Sequence, residues 1–370
     1  MKTILFCLVL SVLFSCSNAL TTKENMEQAD EKLAQKDYIG AIEGYSAVIQ
    51  TSPNRVKAYV ERGFAYCKIE KYDAAIADLD KAIKLDPKSH RLFNTRGILF
   101  MTLEEPKRAL RNYNIAIKLE STSAILYYNR GSAHHDLNDY EAALADFDAA
   151  IDLDSTYADA YYQKGEIYYE LNAFEMAIGE YDRSLEINPT YYNALLRRAD
   201  AKEEVEEYEG AIEDYKHYID LRPENPLGYN NRGYTFGQVK NYEAAFQDFD
   251  KALELAPEYA LTYANKGDLE VDLKRYQKAI KNYQKSLAIE EDIMTRSSLA
   301  EVYELIKDYE AAIENYTQII AIDSTYVEDF LARGLLYIKT KEKQKACLDF
   351  ERALELDEEE AMLSFDKYCQ

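Results

Sequence analysis

Few residues in this 370-residue chain have the chemistry to catalyse a reaction or hold a metal. There are four histidines, His90, His134, His135 and His217. His134-His135-Asp136 has the donor types of a metal site, but adjacent residues on a helix point in different directions. No H-E-x-x-H, G-x-S-x-G or Walker-type loop occurs. The 67 Asp and Glu are too many for any pair to mark acid–base chemistry, and they read as solvated helix faces. No C-x-x-C is present, so a thioredoxin-like function has no support. These residues point to no enzyme, no cofactor and no metal site.

The charge balance narrows the partners. The formal net charge is −23, which argues against nucleic acid, whose phosphates must be neutralised by Lys and Arg. It also argues against a polybasic attraction to anionic lipid. Hydrophobic residues make up 47%, enough for a real core. With 13 Gly and 7 Pro, breakers are sparse and long stretches of helix follow.

The N-terminus reads as an export signal. Lys2 precedes an apolar run from Ile4 to Phe14, broken by Ser11, which is too short to span a membrane. Two cleavage sites stay open. Ser17-Asn18-Ala19 offers one after Ala19, giving a signal over 1–19. Leu13-Phe14-Ser15-Cys16 resembles the bacterial lipobox, giving a signal over 1–15 and a lipid on Cys16, with Phe14 departing from the usual residue. Acylation would tether the protein rather than insert it. Ser17 after that cysteine resembles lipoproteins sent to the outer membrane. A soluble periplasmic or secreted protein is the alternative, and eukaryotic secretion stays open if Cys16 is not acylated. Cys67, Cys347 and Cys369 remain, an odd number for an oxidising compartment. A Cys347–Cys369 bond would pin the C-terminus, and their spacing leaves that pairing open.

The elements that must carry any site come from a repeat. Gly63, Gly97, Gly131 and Gly165 are each 34 residues apart, and Gly233 and Gly267 continue the series with Ala199 in the gap. Ala29 precedes the series; Ala300, after one step of 33, and Gly334 extend it to ten copies. Twelve residues after each small residue stands an alanine, from Ala41 and Ala75 to Ala312 and Ala346. Four further on stands a large residue, such as Tyr45, Leu79, Tyr113, Phe147 or Phe350. Tyr59, Gly63 and Tyr66 share one helical stripe; Tyr140, Ala143, Leu144 and Phe147 share a second, after a turn at Asn138-Asp139. One such helix pair cannot bury its own apolar faces, so neighbouring pairs must stack.

These features resemble the tetratricopeptide repeat family from about residue 22 to 360. Copy two, VKAYVERGFAYCKIEKYDAAIADLDKAIKLDPKS, carries the pattern at Tyr59, Gly63, Tyr66, Tyr72, Ala75, Ala82 and Pro87. The resemblance implies an all-α, right-handed superhelical solenoid of about ten helix-turn-helix repeats. Residues 361–370 could form a short capping helix. Copies one and nine depart most, with Asn25 and Arg296 at the aromatic place, and copy nine reads as an irregular joint. Pro106 opens the second helix of copy three, where its missing N–H is tolerated. His134 falls at an apolar place and reads as a packing residue. A basic residue precedes most small places, as at Arg62, Arg96, Arg130, Lys164, Arg198, Arg232, Lys266 and Arg333. In so acidic a chain these are expected to pair with carboxylates of the adjacent helix.

In the family, the first helices line a concave groove. Carried onto copies three to five, the fifth, ninth and twelfth places are Asn94, Ile98, Met101, Tyr128, Ser132, His135, Tyr162, Glu166 and Tyr169. Asp159, Glu170, Asp200, Glu203 and Glu204 add an acidic patch suited to a basic segment. The Lys set with which some members bind acidic C-termini is missing. The function expected is a scaffold or adaptor that holds a protein or peptide at the bacterial cell envelope. A structural spacer and a carbohydrate-associated module are the rivals.

Overall fold

A computed structural model describes residues 22–356 and 358–369. Among the described residues there are 21 α-helices and no strand. They fall into two compact units, which divide between Asn172 and Ala173. Cys16 and the leader lie outside the described residues.

Each repeat contributes a first helix (A) and a second helix (B). In the first unit these pairs are Thr22–Ala34 with Tyr38–Thr51, Val56–Lys68 with Tyr72–Leu85, His90–Thr102 with Pro106–Leu119, and Ala124–His135 with Tyr140–Leu153; helix Ala158–Glu170 completes the unit. The second unit begins with helix Phe174–Ile187. The pairs that follow are Tyr192–Glu204 with Tyr208–Leu221, Pro226–Gln238 with Tyr242–Leu255, Ala260–Asp272 with Tyr276–Ile289, Ile293–Leu305 with Tyr309–Ile322, and Val327–Lys339 with Lys343–Leu356. A last helix, Glu358–Cys369, begins ahead of the boundary expected from the sequence.

The turn between A and B is the same each time. One residue per repeat, from Lys36 and Glu70 to Lys307 and Lys341, takes a left-handed φ of 55–67°, and none of the ten is glycine. The next residue caps helix B in several copies: Asp37 Oδ1 accepts from the Gly40 amide at 2.9 Å, and Asp308 Oδ1 from Ala311 at 3.3 Å. Pro106 stands in the first turn of its helix, as expected.

The glycines serve close approach instead. A Cβ on Gly97 would come within 2.4 Å of the Tyr113 ring, and one on Gly267 within 2.5 Å of Tyr283. Gly131 is likewise covered by Phe147 and the Ala143 carbonyl. Gly63 differs because Leu79 stands where the others have a ring, and its nearest atoms would be 3.4–3.8 Å away. The buried residues are therefore an alternation of alanines with Tyr45, Tyr113, Phe147, Tyr215, Phe249, Tyr283 and Phe350.

Stacking is held by arginines. Arg62 grips Asp78 of its own B helix with two bonds, 2.8 and 2.7 Å, and reaches Ser46 on the preceding B helix at 2.9 Å. Arg130 does the same with Asp146 and Asn114, and Arg333 with Asp349 and Thr317. Arg198 joins Asp214 to Asp182, and Arg96 joins Asn112 to Asp80. Each guanidinium thus spans two acceptors 16 residues away in either direction, a use of its planar fork. The Asp78 side chain is only 7% exposed, so the pair matters less for net stability than for register.

Copy nine keeps only the bond to its own B helix. Leu299 occupies the arginine place and is buried. Arg296, one turn earlier, supplies the bond to Asn315 at 3.2 Å and is braced by Glu291. Asp292 caps the helix through the Thr295 amide at 2.7 Å.

The terminal helix covers the last pair. Ala361 is buried against Val327, Phe330 and Ala353, and Tyr368 stacks on Phe350. Cys347 and Cys369 are disulfide-bonded, with Cα atoms 5.6 Å apart.

Two outcomes test this packing. Gly97→Ala should lower stability by about 1–3 kcal/mol because a stiff ring must move, whereas Gly63→Ala should be neutral or stabilising by up to ~1 kcal/mol from helix propensity; urea unfolding checks both. Cys369→Ser should free the terminal helix, costing about 3 kcal/mol locally, and limited trypsinolysis should then cut at Lys367 and Arg352 well before the rest of the chain.

Candidate binding groove

Successive A helices touch one another, as His90–Thr102 touches Ala124–His135, which in turn touches Ala158–Glu170. The A helices therefore form the inner face of each stack. Between them run polar rungs. Asn129 Nδ2 donates to Asn94 Oδ1 at 2.9 Å, and His135 Nε2 lies 3.0 Å from Glu170 Oε2. In the second unit Asn265 Nδ2 donates to Asn230 Oδ1 at 3.1 Å and Lys339 Nζ to Glu304 Oε2 at 3.0 Å. All four rungs join residues 35 apart, so the repeat itself sets them.

The residues expected in the groove divide into two kinds. Asn94 and His135 are half-buried and spent on rungs. Tyr128 is half-buried and packed, its ring 5.8 Å from Phe147 and 5.0 Å from Tyr157, and burial pushes its hydroxyl pKa up. Ser132 donates back to the Tyr128 carbonyl at 3.0 Å. Met101 packs beside Phe100 and Tyr113. Tyr162, Glu166 and Tyr169 are half-buried. Ile98 alone among the nine is openly exposed, at 46%.

Ile98 lines a cavity of about 470 Å³ between helices Val56–Lys68 and His90–Thr102. Phe64, 49% exposed, faces the same cavity with Cys67, Leu99 and Thr102. Burial raises the Cys67 thiol above its usual range, so it acts as a small apolar wall. Lys68 sits over the Phe64 ring at 5.1 Å and puts a positive charge at the rim. The groove places named from the sequence lie in copies three to five. The same places one copy earlier are Val60, Phe64 and Cys67, so the signal is present in the sequence.

The acidic patch is split between the units. Asp159 and Glu170 belong to the first and are exposed. Asp200, Glu203 and Glu204 belong to the second, and there only Glu204 is fully exposed. Tyr215 OH donates to Asp200 Oδ1 at 2.7 Å and approaches Glu203 Oε2 at 3.0 Å. The same arrangement recurs: Tyr45 OH donates to Asp30 at 2.8 Å and Tyr283 OH to Asp268 at 2.6 Å. Several inner-face carboxylates thus serve the buried tyrosine behind them.

His134 and His135 point to separate partners, Asp139 and Glu170, as expected for adjacent helix residues. Among the described residues no three His, Cys, Asp or Glu side chains converge as a metal site would require.

The tetratricopeptide repeat pattern matches residues 56–89, 158–191, 192–225, 226–292, 258–325 and 330–360, and a TPR repeat matches 131–172. No curated protein matches the chain. Among solved structures it is similar to PilF of Pseudomonas aeruginosa, at 21% identity over 58% of this chain and 97% of that one, TM-score 0.50. It is also similar to a tetratricopeptide repeat protein of Parabacteroides merdae, at 17% identity over 76% and 98%, TM-score 0.45. A third is YrrB, described as a TPR protein with an unusual peptide-binding site, at 23% identity over 51% and 97%, TM-score 0.45. The matched repeats, the ten left-handed turns and the small-residue contacts agree: the chain belongs to the tetratricopeptide repeat family.

Proposed function

We propose that this protein is an exported adaptor, tethered by lipid on Cys16, that captures a peptide segment of an envelope protein on the inner face of its first unit. The repeat fold supports a protein–protein interaction scaffold, and such repeats are generally non-catalytic. The observation that carries the groove reading is the apolar cavity between Phe64 and Ile98, which would take one apolar side chain of the partner. Asp159 and Glu170, further along the same unit, would favour basic residues beside that anchor. The Cys347–Cys369 disulfide supports export, because such bonds persist in oxidising compartments.

Two experiments test the reading. Phe64→Ser with Ile98→Ser should leave the protein folded at a cost of about 1 kcal/mol per residue, since each is half covered, whereas Tyr128→Ala should cost about 2 kcal/mol at one site from lost packing; a denaturant titration checks both. The full-length protein should then be crosslinked in its native membrane and its partners read by mass spectrometry. One envelope protein should be enriched, lost with the Phe64/Ile98 double variant, and bound more weakly in 0.5 M than in 0.1 M salt. An unchanged set of partners with the double variant would refute the groove assignment and move the spacer reading ahead.

A further inference from the structure

The arginine straps are not continuous. Sixteen residues before Arg62, Arg96, Arg130, Lys164, Arg198, Lys266 and Arg333 stands an acceptor on the preceding B helix, and each cation bonds to it. Sixteen residues before Arg232 stands Lys216, a donor that cannot accept. Arg232 bonds only to Asp248 of its own repeat. As at the joint before copy nine, where Leu299 holds the arginine place, the joint between copies six and seven therefore lacks the strap.

A different contact crosses that joint. Glu203 on helix Tyr192–Glu204 meets Thr235 on helix Pro226–Gln238, through Glu203 Oε1 and Thr235 Oγ1. Thr235 and Tyr215 are fully buried. Their hydroxyls make four oxygen contacts: Tyr215 with Asp200 Oδ1 at 2.7 Å and Glu203 Oε2 at 3.0 Å, and Thr235 with Glu203 Oε1 and the Asn231 carbonyl at 2.9 Å. The two hydroxyls supply one proton each. With both carboxylates ionised, the contacts outnumber the protons by two, and buried oxygens would face each other with nothing between. One proton on Glu203 completes a chain: Glu203 donates to the Tyr215 oxygen and Tyr215 donates to Asp200, while Thr235 donates to Glu203 or to its own backbone.

We infer that Glu203, Tyr215, Asp200 and Thr235 form a proton-binding site that closes the unstrapped joint between copies six and seven when protonated and loosens it when deprotonated. The surroundings favour the proton. Asp200 and Glu204 lie on the same helix, Tyr215 on the helix behind, and Tyr234 on the facing helix, its hydroxyl near Glu203, Glu204, Tyr208 and Asp268. Most nearby cations are turned elsewhere, Lys202 and Arg198 to Asp214 and Arg232 to Asp248; Arg197 lies 3.6 Å from Asp200, at the acceptor end of the chain, and leaves the proton to Glu203. From the preceding helix, Asp182 is held by Arg198. Burial, with these carboxylates adding to it, pushes the Glu203 carboxyl up to about 7. The folded joint then holds a proton that the opened joint releases, so stability is full at acid pH and falls as pH rises toward 7.

Hydrogen exchange of the full-length protein between pH 5 and 8, corrected for intrinsic rates, reads this directly. Opening of helices Tyr192–Glu204 and Pro226–Gln238 should increase up to about tenfold per pH unit and level off above about pH 7. Glu203→Gln should abolish that slope while exchange outside these copies stays as in the parent. Thr235→Val removes a donor to the ionised form and should move the break to higher pH; it decides the matter alone if circular dichroism shows Glu203→Gln unfolded. A slope that persists in Glu203→Gln, or a break unmoved by Thr235→Val, would overturn the inference.

Discussion

A helix pair of 13 and 14 residues has too little surface to bury its own apolar faces, and everything else in this protein follows from that constraint. Each pair must be covered by its neighbours. The covering works because a small residue on helix A lets a ring from helix B lie against its backbone, as Tyr113 lies on Gly97. The same contact explains why the glycines sit inside helices and the left-handed turns are built from Lys, Glu and Asn. Where a cross-helix contact needs the missing Cβ, glycine is worth its helix cost.

Once pairs are stacked, their register must be held. Arginine does this by bonding forward to its own repeat and backward to the preceding one. In copy nine the forward bond comes from a different turn, through Arg296 to Asn315. Many of the carboxylates that make the chain so acidic are consumed in this way, as Asp78, Asp146, Asp214, Asp248 and Asp349 are.

The chemistry of the inner face is coupled to the residue buried behind it. Where that residue is Tyr45, Tyr215 or Tyr283, the facing place holds Asp30, Asp200 or Asp268 to take the hydroxyl. Where it is Leu79, Phe249 or Phe350, the facing place is Phe64, Tyr234 or Leu335, and these are exposed. A buried hydroxyl demands an acceptor, and a buried hydrocarbon does not. Ile98 over Tyr113 departs from this rule and, beside Phe64, opens the apolar cavity.

The repeat period, the helix pairs, the small-residue places and the basic series were legible in the residues because each recurs every 34 positions and depends on local spacing. Even Pro106 and the turn at Asn138-Asp139 could be placed from backbone preference alone. The fate of individual polar side chains could not. Asn94, Tyr128, His135, Asp200 and Glu203 share places with residues that face open groove, and only their neighbours on other helices tell which are spent. The Cys347–Cys369 bond was open in the sequence for the same reason, and the fold of the terminal helix closed it. Helical periodicity depends on one chain segment, whereas a hydrogen bond or a cavity depends on two, and the second is supplied by packing.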